Sequence, residues 1–227
     1  MSDKFASNFI KGETMRLFGY WRSSATYRVR IALRLKGLDY GYEAVNLLKG
    51  EQNSPAFLKR NPQGLVPALE TEEGAILTQS TAIIEYLEER YPDPPLLPSD
   101  AAKRAKARAI AAIIACEAQP FMNLRIQNYL KEKGEFDAEA MQDWLDRWTG
   151  GAMRSVETLV AADASPFCVG NEPGMADAFL VPQVFGALRF GVDLSATPRI
   201  KEIYDRCNAL DAFIGAQPQN QPDAVAA

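Results

Sequence analysis

Residues 15–33 read MRLFGYWRSSATYRVRIAL: an apolar strand-like run, a short turn with two hydroxyls, and the start of a helix. A helix N-terminus presents unpaired backbone N–H groups and a partial positive charge. The hydroxyls of Ser23 and Ser24 add donors there. Such a turn can hold an anion, or it can lower the pKa of a sulfur placed next to it. A serine in this position is also an ordinary helix N-cap, so the turn alone does not define a site.

The sulfur that such a turn would activate is missing from the chain itself. Ala25 occupies the position where a nucleophilic cysteine would be expected. The sequence therefore predicts that any sulfur chemistry at this helix uses the thiol of a bound ligand. Histidine is absent from the chain, which excludes mechanisms that need an imidazole base and metal sites that need imidazole ligands.

The composition is that of an ordinary globular protein, with 47% hydrophobic and 24% charged residues. The formal net charge of −4 argues against nucleic acid as the main partner. No apolar run approaches the roughly 18 to 20 residues that span a bilayer, so we expect no membrane partner. The 3 cysteines are widely spaced, which predicts neither a disulfide framework nor a metal site and favours a reducing, cytoplasmic location.

The first third of the chain alternates between strand-like and helical patterns. Hydrophobic periodicity and turn residues predict the order β-α-β-α-β-β-α. The initial β-α-β implies a parallel pair with a right-handed crossover, and the final hairpin adds antiparallel strands to the same sheet. This is the order of a thioredoxin-like domain, which we assign to residues 15–91. The predicted segments are 15–20, 26–36, 40–46, 54–60, 66–70, 75–78 and 80–90.

Prolines then divide the chain. Four of them between residues 92 and 98 predict an extended linker, because proline fits neither helix nor sheet interiors. The predicted fold class is therefore α/β plus all-α, with an all-helical domain at 99–216. Residues 1–14 are expected to be a flexible extension and residues 217–227 a disordered tail. The predicted helices of the second domain are 101–130 (broken by Pro120), 138–162, 175–190 and 198–213.

Two further segments of the first domain would lie near the serine turn. In the first, Val66 precedes Pro67 at the start of a strand, and a cis bond there would expose the backbone of Val66 for pairing with a ligand. In the second, Gln79 and Ser80 stand at the start of another helix. Each signal alone is weak. In this order within one domain they suit a peptide-like ligand that carries a carboxylate and a thiol.

The chain resembles the cytosolic glutathione transferases, and among them the zeta class of maleylacetoacetate and maleylpyruvate isomerases. The resemblance extends over roughly residues 15–222. It implies glutathione as cofactor, bound at Ser23, Val66, Pro67, Gln79 and Ser80, and it implies a homodimer. The segments that carry it are 22–33, 61–67, 79–89, 168–170, 175–177, 180–184 and 189–190.

The sequence departs from the family pattern at two positions. The usual Ser-Ser-Cys turn has Ala25 in place of the cysteine, which leaves the exact substrate open. Gly174 stands where a serine or threonine usually caps the next helix. Asp177, three positions further on, is expected to accept N–H bonds at that helix start.

Arginines in the cleft would indicate a substrate that carries carboxylates. A guanidinium can hold a carboxylate through two parallel charge-assisted hydrogen bonds. Arg22 and Arg189 match family positions associated with an anionic substrate, and Arg125 is a further candidate. Most single arginines are solvated or paired on the surface. That ordinary role is the one predicted for the remaining arginines of the first helix, Arg28, Arg30 and Arg34.

The resemblance implies a glutathione-dependent cis–trans isomerase that acts on a small maleyl dicarboxylate, with Ser23 and Ser24 as catalytic hydroxyls. The thiolate would add to the cis double bond, rotation would follow, and elimination would return the thiol. Two alternatives stay open at this point. One is a glutathione transferase or dehalogenase that uses the same site on small electrophilic acids. The other is a non-catalytic interaction protein of the same fold.

Overall fold

The computed structural model describes residues 14–162 and 164–225 of the chain. The predicted N-terminal extension therefore lies outside the described residues, apart from Thr14. Within these residues, no helix is both long enough and apolar enough to cross a membrane.

In the described residues, one mixed sheet contains β1 (Arg16–Gly19), β2 (Gly41–Ala44), β3 (Ala68–Glu70) and β4 (Ile76–Thr78). The strand order is β2-β1-β3-β4. β1 runs parallel to β2 and antiparallel to β3, while β3 and β4 form the predicted hairpin. Leu17 and Leu69 face each other across β1 and β3 and are fully buried. The thioredoxin-like topology expected from the sequence is confirmed.

Helices α1 (Ser24–Leu35), α2 (Pro55–Leu58) and α3 (Ser80–Arg90) complete this part of the chain. α1 packs against α3. α1 ends as predicted before Gly37, which adopts a φ of 64° that glycine reaches without strain.

The second part of the chain is helical, as predicted, but its helices are more interrupted than the sequence suggested. Before Pro120 the backbone widens into a π-helix at Ile113–Ala118 and then tightens into a 3₁₀ turn at Gln119–Met122. A second π-helical segment, Asp146–Gly150, interrupts the predicted helix over 138–162. The helices are α4 (Ala101–Ala112), α5 (Leu124–Lys133), α6 (Ala138–Leu145), α7 (Gly151–Ala161), α8 (Met175–Arg189), α9 (Pro198–Cys207) and α10 (Asp211–Ala216).

The start of α8 shows why glycine occupies the capping position. A side-chain carbon at Gly174 would lie 2.4 Å from the carbonyl oxygen of Leu96, so the proline-rich segment can approach only a glycine. Asp177 takes over the capping role, because its two carboxylate oxygens accept from the N–H groups of Cys168 and Gly174, each at 2.9 Å. This use of Asp177 was predicted from the sequence.

A buried ion pair ties the proline-rich segment to the first part of the chain. The ammonium of Lys36 lies 2.9 Å from a carboxylate oxygen of Glu88, and it also donates to the carbonyl oxygens of Tyr91 and Pro94 at 2.6 and 3.0 Å. Both side chains are almost completely buried. Glu88 also accepts from the main-chain N–H groups of Leu96 and Leu97.

The end of the chain corrects the sequence analysis. The expectation of a disordered tail from residue 217 is wrong for residues 217–225, and residues 226–227 lie outside the described residues. Pro218–Asn220 form a 3₁₀ turn. Asp223 accepts hydrogen bonds from the main-chain N–H of Trp21 at 3.0 Å and the hydroxyl of Tyr42 at 3.3 Å. The composition indicated disorder, but it could not reveal these long-range partners.

We expect Lys36→Met to lower the free energy of unfolding by about 3 to 5 kcal/mol, because it leaves the Glu88 carboxylate buried without its countercharge. Urea unfolding followed by circular dichroism measures this change. The matched control is Lys201→Met, which removes one partner of an exposed pair with Asp205. The control should unfold almost as the parent protein does, since exposed pairs contribute little. Equal losses in the two variants would contradict the assignment.

Candidate active site

The start of α1 faces the middle and end of α8 across a cavity of about 150 Å³, which we name the arginine pocket. It lies between the two parts of the chain, because β1 leads into the serine turn on one side while α8 and the turn before α5 form the other. Its lining includes Arg22, Ser23, Ser24, Gly186, Arg189 and Phe190. The structure therefore brings together both predicted serines and two of the three predicted arginines.

Ser23 is the N-cap of α1. Its hydroxyl oxygen accepts from the main-chain N–H of Thr26 at 3.2 Å, and its own carbonyl accepts from the N–H of Tyr27 at 2.9 Å. The cap fixes the orientation of the hydroxyl while its proton can still be donated to a neighbouring group. Ser23 therefore serves as a helix cap and also presents a hydroxyl in the pocket, which are the two roles weighed from the sequence.

A second cavity of about 80 Å³ lies next to the first, and we name it the proline pocket. Its lining includes Arg28, Asn61, Val66, Pro67, Gln79 and Ser80. Gln119 and Asn123 line both cavities, so the two pockets are adjoining halves of one cleft. The four residues predicted to lie near the serine turn all line this half of the cleft: Val66, Pro67, Gln79 and Ser80.

Val66 lies just before β3 and outside the sheet ladder, which pairs residues from Ala68 onward. The Val66–Pro67 peptide bond is cis, as predicted. Asn61 shapes the preceding loop, because its buried amide donates to the carbonyl oxygen of Leu65 at 2.6 Å and accepts from the N–H of Gln63 at 3.1 Å. The hydrogen bonds of Asn61 thus fix the loop that places Val66 in the lining of the cleft.

The start of α3 carries an unusual backbone conformation. Gln79 has a φ of 69°, a region that residues other than glycine rarely adopt. Such conformations persist where the surrounding structure imposes them, and they are concentrated at ligand sites. Gln79 thereby turns the chain so that Ser80 and the free N–H groups at the start of α3 line the proline pocket.

The two arginines of the arginine pocket influence each other. Burial lowers the pKa of the Arg189 guanidinium, and the positive charge of Arg22 lowers it further. Each guanidinium lies over an aromatic ring, Arg22 at 4.5 Å from the ring centre of Trp21 and Arg189 at 4.9 Å from that of Phe190. Two like charges held in one pocket favour an anion between them. Arg125 lies exposed on α5, and it is missing from the described residues that line either pocket.

The prediction for Arg28 and Arg30 is wrong. Both were expected on the outer face of α1 or in salt bridges, but they are 2% and 0% exposed. Arg30 donates to the carbonyl oxygens of Trp21 and Ala216, both at 3.0 Å. Arg28 lines the proline pocket. Arg34, on the same helix, is exposed as expected. Sequence periodicity did not reveal the two buried side chains, because α8 and α10 cover the face of α1 that carries them.

A larger, open cavity of about 710 Å³ lies near the opposite end of α1. Arg34, Asp39 and Asp211 are among the residues that line it. Among the described residues that line this cavity, none belongs to the site predicted from the sequence. The chemistry is therefore concentrated in the smaller cleft.

A mixed sheet of this order, followed by a helical half with the cleft between them, is the architecture of the glutathione transferases. Residues 17–95 match the family described as Glutathione S-transferase, N-terminal domain. The chain belongs to the zeta class, the family of maleylacetoacetate and maleylpyruvate isomerases.

Three similar proteins illustrate this relationship. Maleylacetoacetate isomerase of Pseudomonas aeruginosa is 49% identical over 94% of this chain and 100% of its own length. Maleylpyruvate isomerase of a Ralstonia species is 46% identical over 93% of this chain and 100% of its own. The crystal structure of maleylacetoacetate isomerase from Anaeromyxobacter dehalogenans 2CP-1, with dicarboxyethyl glutathione and citrate in its active site, superimposes with a TM-score of 0.85. It is 40% identical and covers 95% of this chain and 96% of its own.

The strained backbone of Gln79 leads to a testable prediction. Gln79→Gly removes the side chain and relieves the positive φ, whereas Gln79→Ala removes the side chain alone. We expect the glycine variant to be more stable than the alanine variant by about 1 kcal/mol, since the relief of strain exceeds the added entropy of the unfolded chain. Unfolding in urea measures both. An alanine variant as stable as the glycine variant would mean that position 79 is not strained.

Proposed function

We propose that the protein is a glutathione-dependent isomerase that converts a small maleyl dicarboxylate from cis to trans. The observation that carries this proposal is the pair of guanidiniums, Arg22 and Arg189, in the same pocket as the Ser23 hydroxyl. The proposal covers maleylacetoacetate and maleylpyruvate. Absorbance assays with each compound, with and without glutathione, test it: turnover of neither compound, or turnover that does not require glutathione, would refute it.

The cleft fits glutathione through the chemistry of its own groups. The main chain of Val66 lies outside the sheet ladder, so its N–H and C=O can pair with the peptide backbone of a ligand. Gln79 and Ser80, at the start of α3, would hold the carboxylate of the γ-glutamyl group. When bound, glutathione supplies the thiolate that adds to the double bond, permits rotation, and leaves again.

Ser23 would stabilise that thiolate. The N–H of Thr26 orients the hydroxyl, whose proton is then directed to the sulfur. The partial positive charge at the start of α1 acts in the same sense and favours the ionised thiol. No side chain of the protein has to act as nucleophile, which agrees with Ala25 in the turn.

Arg22 and Arg189 would hold the carboxylates of the substrate. Their mutual repulsion is relieved when a dianion binds between them, so the pocket selects doubly charged substrates. Holding both ends of the substrate also removes orientational freedom before the sulfur adds. Arg125 stays a weaker candidate for the same task, because in this structure it lies outside the pocket lining among the described residues.

The two other readings are less well supported. A transferase or dehalogenase could use the same thiolate, but it would not require two guanidiniums in one pocket. An interaction protein would not require the strained Gln79 or the fixed loop at Asn61. We further propose a homodimer, as implied by the family resemblance, and a cytoplasmic location. The free thiols of Cys116, Cys168 and Cys207 support a reducing compartment.

We expect Ser23→Ala to lower kcat far more than Ser24→Ala does. Losing one hydroxyl that is aimed at the developing charge costs on the order of 3 kcal/mol in the transition state. Steady-state kinetics with saturating glutathione measure the effect. Ser54→Ala is the stability control, because Ser54 caps α2 through the N–H of Phe57 and lies outside the lining of both pockets in the described residues. Small, equal effects at Ser23 and Ser24 would contradict the assignment.

We expect Arg189→Lys to impair turnover although it keeps the charge, because lysine cannot make the planar two-pronged contact. The loss of one charge-assisted bond predicts a drop of about 10- to 100-fold in kcat/KM for the maleyl dicarboxylate. The same variant should conjugate a neutral electrophile such as chlorodinitrobenzene almost normally. If both reactions fell equally, Arg189 would support the fold rather than bind a carboxylate.

A further inference from the structure

Arg28 is a buried cation that the proposed mechanism does not use. It is 2% exposed and lies over the ring of Phe179, with its guanidinium carbon 4.6 Å from the ring centre. One of its terminal nitrogens, Nη1, donates to the hydroxyl oxygen of Ser80 at 3.3 Å. This is a long hydrogen bond to a neutral group, and it does not balance the charge.

The other donors of Arg28 are unsatisfied. Nε and Nη2 are buried, and no hydrogen-bond acceptor reaches them from the described part of the chain. Burial lowers the pKa of the guanidinium to about 9, which expresses the cost of holding this charge away from water. Buried charges are normally paired, because an isolated one is strongly unfavourable. Arg28 therefore lacks a countercharge among the described residues, and a bound anion would supply it.

The position of Arg28 indicates where such an anion would lie. It lines the proline pocket together with Val66, Gln79 and Ser80, and it contacts Ser80 directly. The free N–H groups at the start of α3 and the guanidinium of Arg28 thus favour negative charge at the same hydroxyl. The arginine pocket, which would take the substrate, has Arg22 and Arg189 for its own charges.

We propose that Arg28 is a positioning residue that supplies the buried countercharge for the α-carboxylate of the γ-glutamyl group of glutathione and holds Ser80 ready to bind it. This inference rests on the proposed function, because it takes glutathione as the ligand of the proline pocket. It adds a specificity element: the cofactor is selected by a charge beneath its carboxylate as well as by backbone pairing at Val66.

The same helix provides a matched control. Arg30 lies two residues further along α1 and is also buried, but it donates to the carbonyl oxygens of Trp21 and Ala216. In the described part of the chain, Arg30 does not line the proline pocket. Nη1 of Arg30 also has no acceptor in the described part of the chain, but its Nε and Nη2 donate to main-chain oxygens. Arg30 is thus a buried arginine held mainly by structural partners, with which Arg28 can be compared.

The test is calorimetric titration of the full chain with glutathione and with an analogue whose γ-glutamyl group lacks the α-carboxylate. The parent protein should bind glutathione more tightly than the analogue. Arg28→Met should weaken glutathione about 10- to 100-fold and the analogue hardly at all, so the preference is lost. Arg28→Lys should keep part of the preference, and Arg30→Met should keep all of it. Equal weakening of both ligands by Arg28→Met, or loss of the preference in Arg30→Met, would overturn the proposal.

A measurement on the parent protein covers the case in which Arg28→Met does not fold. The side-chain Nε–H signal of Arg28, identified by its disappearance in Arg28→Lys, should shift in nitrogen-15 NMR when glutathione binds and should shift much less with the analogue. Identical responses to both ligands would overturn the role of Arg28. Absence of glutathione binding to the parent protein would instead refute the proposed function, so the two failures are distinguishable.

Discussion

The burial of helix α1 between the two parts of the chain is the constraint on which the site depends. The helix packs against α3 in the first part of the chain and against α8 and α10 in the second. Every residue from Thr26 to Leu33 is buried. A helix covered on this many sides cannot expose its polar side chains to water, so each of them needs a partner inside. Within the described residues, Arg30 donates to two main-chain oxygens, whereas Arg28 donates to one neutral hydroxyl.

The position of α1 also explains how an acidic protein brings several positive groups together in one cleft. The formal net charge is −4, yet the cleft collects the starts of α1 and α3 and the guanidiniums of Arg22, Arg28 and Arg189. Local arrangement thus outweighs net charge, because narrow clefts with walls of low polarity concentrate the field of the charges that line them. Net charge argued against nucleic acid as partner, but it carried no information about the sign of the charge in the cleft.

Local signals in the sequence predicted the fold well, because strands, helix starts and prolines act over a few residues. Pro67, Gly37 and the capping role of Asp177 belong to this group, and so does most of the cleft, since three short motifs mark its walls. The burial of Arg28 and Arg30 could not be predicted, because it depends on helices α8 and α10, which follow more than a hundred residues later. The family resemblance indicated which residues to examine, but it did not indicate that Arg28 would be buried with no countercharge among the described residues.

The last residues of the described chain have a consequence for the order in which the protein forms. The carboxylate of Asp223 accepts a hydrogen bond from the main-chain N–H of Trp21. The side chain of Arg30 donates to the carbonyl oxygens of both Ala216 and Trp21. The turn just before Ser23 is therefore held in part by Asp223, which is synthesised 202 residues after Trp21. The sheet and its helices can form while synthesis continues, but the serine turn gains these contacts only after Ala216 and Asp223 have been made. The first part of the chain can thus fold before the serine turn gains its last hydrogen bonds.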